Sequence, residues 1–375
     1  MVEWRRHLHM YPELSFEEHE TARYISDILA GIPGVEVSRP TPTSVLGVLR
    51  CGGGPGARVA LRADIDALPI DEENDFCFRS QNAGVMHACG HDGHTAMLLG
   101  AASVLATLSS QLRGEIRFVF QHAEERPPGG ARELVAAGVL KDVDMVIGCH
   151  LMSTLPFGQL AAPAGACTAA ADTFTITITG SGGHGAFPHL SVDPITIGAQ
   201  VVTNLQQIVS RRTNPLTSVV VSVTQFHGGA SDTVIPDRVR LGGTVRTFDA
   251  EIREQTRAAI EQTIAGIVSA HGAHYELDYL SGYDAGSNDP QVAGLVTRCA
   301  RQVHGAELVE MGPLPAGDDM TYFLQAAPGA YFFVGTRSDE AGSTHPHHHP
   351  RFTIDERSLQ HGTETLVRTA VTALV

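Results

Sequence analysis

The chain of 375 residues has no apolar run approaching the roughly 18 residues that a membrane-spanning helix needs. Its opening, MVEWRRHLHM, carries basic residues with no apolar stretch behind them, so no secretion signal is read there and a cytoplasmic protein is expected. Positive charge is scarce: 26 Lys+Arg stand against 41 Asp+Glu, a formal net charge of -15. Such an acidic surface repels phosphate backbones, which argues against nucleic acid as a partner. The six cysteines (Cys51, Cys77, Cys89, Cys149, Cys167 and Cys299) are scattered, so no disulfide framework is expected. There is no internal repeat, and no low-complexity tract apart from HPHHHP at 345–350. A nucleophile-elbow serine motif is also missing. Gly52, Gly54 and Ala57 loosely fit a dinucleotide fingerprint, but the strand-like RVALRADI follows where a phosphate loop requires a helix.

Hydrophobic residues make up 43% of the chain, enough for a sizeable core, and the length suits two domains. Ser15-Phe16-Glu17-Glu18 has the form of a capping box and predicts a helix from there to about Ala30, stopped at Gly31. Strands are expected at Val45–Arg50, Arg58–Ile65, Glu115–Gln121 and Asp144–Cys149, with helices at Gly93–Leu108 and Gly130–Ala137. This alternation predicts an α/β sandwich with a mostly parallel sheet. Near residue 170 the pattern changes. Asp172–Thr179 alternates with period two, a helix follows at Pro194–Ser210, and strands at Thr217–Gln225, Arg238–Thr247 and His274–Leu280 frame a helix at Glu251–His271. The expectation is an inserted α+β domain over 170–284. The first domain then consists of 1–169 and 285–375 and closes with a strand at Ala330–Val334 and a helix at Asp355–Ala370.

Histidine is abundant, with 19 in the chain. MHACGHDGHTAM (86–97) gathers His87, Cys89, His91, Asp92 and His94 into eight positions. Thiolate and imidazole are the common ligands of zinc-like ions, and carboxylates join them. The plainer alternative is a polar loop capping a helix at Thr95. Glu124-Glu125 follows the strand EIRFVFQ, His150 follows DMVIGC, and His345, His347, His348 and His349 lie in STHPHHHPRF. Taken singly, these read equally as an acidic turn, a structural histidine and an exposed histidine loop. Taken together, each falls just past the C-terminal end of an expected strand, and in an open parallel sheet those ends share one edge where ligands bind. Cys89, His91, Glu125, His150 and one late histidine can then converge, enough donors for two ions roughly 3.5–4 Å apart.

Ten ordered motifs spread over nearly the whole chain resemble one family. They are WRRHLHMYPELSF (4–16), RADIDALPI (62–70), MHACGHDGHTAM (86–97), FQHAEE (120–125), PPGGA (127–131), GGHGAFPH (182–189), DPI (193–195), VIPD (234–237), GTVR (243–246) and HHHPRFTIDE (347–356). The family is that of the metallopeptidase-like amidohydrolases, which includes bacterial N-acyl-L-amino acid amidohydrolases (aminoacylases), hippurate hydrolases and plant auxin-conjugate hydrolases. The resemblance implies a zinc-peptidase-like catalytic domain with an inserted lid or dimerisation domain. It implies metal-dependent hydrolysis of N-acyl amino acids, with two divalent ions (Zn, Mn, Co or Ni) held by Cys89, His91, Glu125, His150 and His348, the cysteine bridging. Glu124 corresponds to the catalytic base and Asp66 to a carboxylate that orients the site. In the inserted domain, His184 corresponds to a catalytic histidine and Arg246 to an arginine that holds the substrate carboxylate. A small acyl amino acid is the implied partner, together with self-association as a homodimer or homotetramer. The chain departs from the family pattern at Thr233, where asparagine is usual, and at Asp318-Asp319, where Glu-Asp is usual. A hydroxyl replaces only part of an amide's hydrogen bonding. Two rival readings remain: an exopeptidase of the same fold that cleaves dipeptides, and a catalytically silent protein that binds acyl amino acids.

Overall fold

A computed structural model describes all 375 residues, which divide into two compact units: Met1–Cys167 with Ser287–Pro313 and Asp318–Val375, and Thr168–Gly286 with Leu314–Gly317.

The first unit begins with helices α1 (Val2–Met10) and α2 (His19–Ala30). Strands β1 (Val35–Ser38), β2 (Val45–Arg50) and β3 (Arg58–Asp64) lead to helix α3 (His91–Leu108). Strand β4 (Glu115–Gln121), helix α4 (Ala131–Ala136), strand β5 (Met145–Pro156) and strand β6 (Gln159–Ala161) follow. The main sheet has eight strands in the order β1-β2-β4-β3-β5, then Gly329–Arg337, β6 and Glu307–Leu308. β4, β3, β5 and Gly329–Arg337 run parallel. β3 and β4 are almost continuously buried, as parallel strands covered on both faces must be.

α3 is apolar all round, which is why it lies inside the molecule, with Leu98, Leu99, Ala101, Ala102 and Leu105 fully covered. Gly362 in the closing helix Ser358–Leu374 permits close approach to α3. A Cβ there would stand 2.2 Å from the Met97 sulfur.

Three expectations need correcting. Ser15 and Glu18 do not form a capping box. The Ser15 hydroxyl donates to Asp66 (2.7 Å), and the Glu18 carboxylate accepts from the Ala123 N–H (2.7 Å). The first turn of α2 is instead held by Glu13, which accepts from the N–H groups of Glu20 and Thr21. Tertiary partners have displaced the local cap. α3 starts at His91 rather than Gly93, so the metal-type cluster enters the helix's first turn. β5 runs on to Pro156, so His150 lies within a strand rather than beyond its end.

The second unit has a four-stranded antiparallel sheet in the order Val219–Gly228, Arg238–Thr247, Ala170–Thr179, His274–Leu280. Helices Pro194–Gln207 and Ala250–Ala270 accompany it. Each helix is N-capped by an aspartate side chain: Asp193 accepts from the N–H of Ile195, and Asp249 from that of Ile252. Alternating burial along Ala170–Thr179 places Phe174, Ile176 and Ile178 in a core with Val201, Leu205, Leu241, Ile260 and Ile264. At one end of this sheet Asp172, almost fully buried, accepts from the Arg253 guanidinium (2.9 Å), the Tyr279 hydroxyl (2.8 Å) and the Gly282 N–H (3.0 Å).

Burial opposes the ionisation of Asp172, but the Arg253 and Tyr279 bonds outweigh it and hold the carboxyl below its usual range. A depressed folded-state pKa contributes stability that is present above the unfolded pKa and is lost as pH falls through the folded one. Asp172→Asn is therefore expected to lower unfolding free energy by roughly 3 kcal/mol at pH 7. The gap from the wild type should narrow as pH drops below about 4, and urea unfolding at both pH values measures it.

Candidate metal centre

The C-terminal ends of β3 and β4 and the middle of β5 bring their side chains to one region of the first unit. Cys89 and His91 flank Gly90, whose left-handed backbone (φ 99°) lets the chain turn between them into α3. His150 Nε2 lies 3.5 Å from the Cys89 sulfur, and its Nδ1 donates to the Leu151 carbonyl (2.7 Å). His348 Nε2 lies 3.3 Å from Glu125 Oε1. Two donor groups result, each with its ligand atoms within 4.8 Å of one another: Cys89, His91 and His150, and Cys89, Glu125 and His348. Cys89 is common to both. A third group of the same compactness joins His91 to Glu124 and Glu125.

Asp66 orders this arrangement. It faces His91 Nδ1 through Oδ1 (3.2 Å), while Oδ2 accepts from the Ser15 hydroxyl and the Glu125 N–H (3.0 Å). His91 Nδ1 also donates to the Asp66 carbonyl (3.0 Å), which turns Nε2 toward the donor groups. Ala123 and His348 hold positive φ angles (52° and 62°), conformations that cost a non-glycine residue energy and that gather at functional sites.

Other residues of the histidine-rich segments do structural work. His94 donates from Nδ1 to Asp64 (2.6 Å) and accepts from the Leu151 N–H at Nε2 (2.8 Å), so both ring nitrogens are occupied. His347 accepts from the Ser153 N–H (3.1 Å), and burial pushes its pKa down to about 3. His345 and His349 stack on each other, with ring centroids 4.3 Å apart.

Glu124 is buried, and its carboxylate lies within 4.8 Å of those of Asp318 and Asp319. Burial, then Asp318 and Glu125, pushes Glu124 well above the usual carboxylate range. Burial, then Glu125 and Glu124, push the Cys89 thiol up as well. Burial opposes protonation of His91, but Asp64 and Asp66 raise it to about 10. The one buried arginine among these acids is Arg62, which meets Asp64 (2.7 Å), Asp319 (3.1 Å) and Gln121 (2.7 Å). This is a surplus of anionic donors in a dry place, the condition a bound cation relieves. His91 Nε2 is buried without a hydrogen-bond partner. Soft thiolate, imidazole and carboxylate donors suit zinc-like transition ions. The donor set therefore fits a pair of divalent metals.

A family model and solved structures give independent comparisons. Residues 60–372 match Peptidase family M20/M25/M40. The chain belongs to that family. It is 53% identical over 306 residues to an N-acyl-L-amino acid amidohydrolase of Geobacillus stearothermophilus, covering 80% of this chain and 82% of that protein. It is 39% identical to thermostable carboxypeptidase 1 of Saccharolobus solfataricus, covering 96% and 92%. The crystal structure of a dinuclear metal-binding M20 peptidase from Bacillus subtilis superposes with a TM-score of 0.85 at 34% identity, covering 100% and 97%. The M20 chain is thus a metallo-hydrolase with the dinuclear-peptidase fold. No helix in it is long and apolar enough to cross a membrane.

In the second unit, His184 and Thr233 lie together. His184 pairs with Val234 across a short antiparallel ladder, and the Gly185 N–H donates to the Thr233 carbonyl (2.8 Å). His184 Nδ1 accepts from the Ala186 N–H (3.1 Å), leaving Nε2 to point away. Both residues line a cavity of about 540 Å³ with Gly182, Ile235 and Asp237. Arg246 is half-buried; its guanidinium donates to the carbonyls of Val245 (2.9 Å) and Asp172 (3.5 Å) and to the Thr244 hydroxyl.

One supporting network escaped sequence reasoning. Arg5 and His9 lie four residues apart on the buried face of α1. The Asp92 carboxylate receives both, Arg5 Nε at 2.8 Å and His9 Nδ1 at 2.8 Å. His9 Nε2 meets Glu72 (3.0 Å), which also accepts from Asn74 and from the Ser80 N–H. Asn74 and Glu73 in turn bond the backbone carbonyls of Phe352 and Pro350, close to His348. The i, i+4 spacing in WRRHLH was the only signal, and spacing does not name partners. His9→Ala is expected to weaken metal binding by about tenfold, the lower end of what loss of a ligand's own partner costs, because Asp92 and Glu72 stand one contact behind the donors. Calorimetric titration of metal-depleted protein measures it.

Proposed function

We propose that this chain hydrolyses the amide bond of N-acyl amino acids, releasing a carboxylate and a free amino acid. The observation that carries this reading is the Cys89 thiol, common to two donor groups, with the buried Glu124 carboxylate beside His91 and Glu125. Cys89, His91, Glu125, His150 and His348 would hold two divalent ions, with zinc, manganese, cobalt and nickel as candidates. When bound, such ions supply the charge that polarises an amide carbonyl and lowers the pKa of water to about 7.

The chain's own residues divide the remaining work. Glu124 takes the proton from attacking water and returns it to the leaving amine, a role worth about 10²–10⁴-fold. Asp66 fixes the His91 ring and the Glu125 backbone. His184, with Nε2 free to donate, stabilises the developing oxyanion. Arg246, which bonds carbonyl and hydroxyl oxygens, offers its remaining donors to the substrate carboxylate. Thr233 lines the same cavity as His184 and supplies a hydroxyl contact.

The second unit is also the proposed surface of self-association as a homodimer or homotetramer. Its two edge strands, Val219–Gly228 and His274–Leu280, expose Val220, Phe226 and Leu280 beside unpaired backbone groups. A cytoplasmic location belongs to the same proposal.

A second reading, an exopeptidase acting on dipeptides, draws support from the carboxypeptidase relative, which matches 96% of the chain. Steady-state rates on N-acetyl-methionine, hippurate and a dipeptide separate the two. Under the first reading the acyl amino acids are turned over and the dipeptide is poor. A silent binding protein would turn over none of them. Glu124→Gln in metal-loaded enzyme is expected to lower kcat by about 10²–10⁴-fold with little change in KM, and unchanged turnover would remove Glu124 from the mechanism.

A further inference from the structure

A second cavity of about 400 Å³ opens in the first unit, and its lining includes Glu125. Anything that fills it lies against a residue of the metal centre. Its walls are apolar: Ala67 is buried, Leu14 and Leu68 are half-buried and Pro69 is exposed. These walls are fixed by backbone. Leu14 bridges to Ala67, the Ala67 N–H donates to the Glu13 carbonyl (2.8 Å), and Leu68 and Met86 exchange two hydrogen bonds of 3.0 Å. Ser15 also borders the cavity, but its hydroxyl is spent on Asp66.

The cavity carries a single cation, Arg126, directly after Glu125 in the chain. The backbone on both sides of Arg126 is anchored. The Glu125 N–H donates to Asp66, and the Arg126 carbonyl accepts from the Gly129 N–H (3.0 Å). The Arg126 side chain is exposed and forms no ion pair or hydrogen bond, and neither does that of Glu17, which with Glu125 is one of two acidic residues in the lining. What sets Arg126 apart is its place: its guanidinium keeps its donors open at a cavity that has apolar walls and borders a residue of the metal centre.

We propose that this cavity is the acyl-group subsite, and that Arg126 selects acyl chains of a few carbons that end in a carboxylate, the half-amides of dicarboxylic acids. The inference rests on the amidohydrolase reading above. The volume far exceeds what an acetyl group fills and lies in the range of small-molecule pockets. The apolar walls take the methylene chain, and the guanidinium takes the terminal carboxylate as a fork. Glu17 opposes that carboxylate and so limits the preference.

The test compares N-glutaryl-methionine with N-pentanoyl-methionine, which has the same chain length without the carboxylate, and with N-acetyl-methionine, on metal-loaded full-length protein. The wild type is expected to show a KM for the glutaryl substrate about tenfold below that for the pentanoyl one, the effect of one charge-assisted contact. Arg126→Gln should erase that difference and leave kcat/KM for the acetyl and pentanoyl substrates within about twofold. Glu17→Gln should widen it. Equal KM values in the wild type, or an Arg126→Gln effect shared by all three substrates, would overturn the subsite. Failure to cleave any of the three would count against the amidohydrolase reading instead. The subsite is then decided by calorimetric binding of the glutaryl and pentanoyl compounds to metal-loaded Glu124→Gln protein, with and without Arg126→Gln. Tighter glutaryl binding that depends on Arg126 supports it, and equal binding overturns it.

Discussion

Repulsion among buried anions is the constraint on which the catalytic unit turns. Cys89, Glu124, Glu125, Asp64, Asp66, Asp318 and Asp319 crowd one region of the parallel sheet, and Arg62 is the one buried arginine set among them. Burying such groups without compensation costs several kcal/mol each. Burial first, and the neighbouring carboxylates after it, favour the protonated forms of Glu124 and Cys89 and hold both above their usual ranges. A pair of divalent cations relieves the repulsion more completely and turns the cost of assembling the donors into affinity for the ions.

The rest of the unit holds these donors in position. Parallel strands bring Asp66 and Glu125 to one edge, and the left-handed Gly90 sets Cys89 and His91 at the start of α3. A second ring of contacts holds three of the proposed ligands: Asp66 on His91, the Leu151 carbonyl on His150, and the Ala88 carbonyl, which accepts from the His348 N–H at 2.8 Å. Behind these, Arg5 and His9 clamp Asp92 to the segment that braces the His348 loop. Ligand geometry at this centre is thus distributed over the N-terminal helix, the HACGHD segment and the late histidine loop, far apart in the chain.

Much of the fold was legible from residue pattern. Central strands of a covered sheet are apolar at their middles, and RVALRAD and EIRFVFQ keep Val59–Leu61 and Phe118–Phe120 there between polar residues. Period-two alternation marked Asp172–Thr179, most of the strand Ala170–Thr179, equally clearly. Local signals misled where a distant partner competed for the same side chain. Ser15 and Glu18 have the spacing of a helix cap, yet Asp66 and Ala123 claim them. In the centre, a cluster as rare as HACGHDGH announces metal chemistry, but composition alone does not separate donors from supports. Cys89 and His91 face the donor groups, whereas His94 and His347 spend their nitrogens on Asp64 and backbone N–H groups. Arg126 and its cavity were invisible in the sequence, because an unpaired charge is recognised only by the absence of a neighbour.

The central claim is that two cations share the Cys89 thiol. Anomalous diffraction from crystals of metal-loaded protein, collected at the absorption edge of the bound ion, tests it most directly. The account predicts two peaks roughly 3.5–4 Å apart, both within bonding distance of the Cys89 sulfur, one beside His91 and His150 and the other beside Glu125 and His348. A single peak, or density centred on Asp64 and His94 instead, would contradict it.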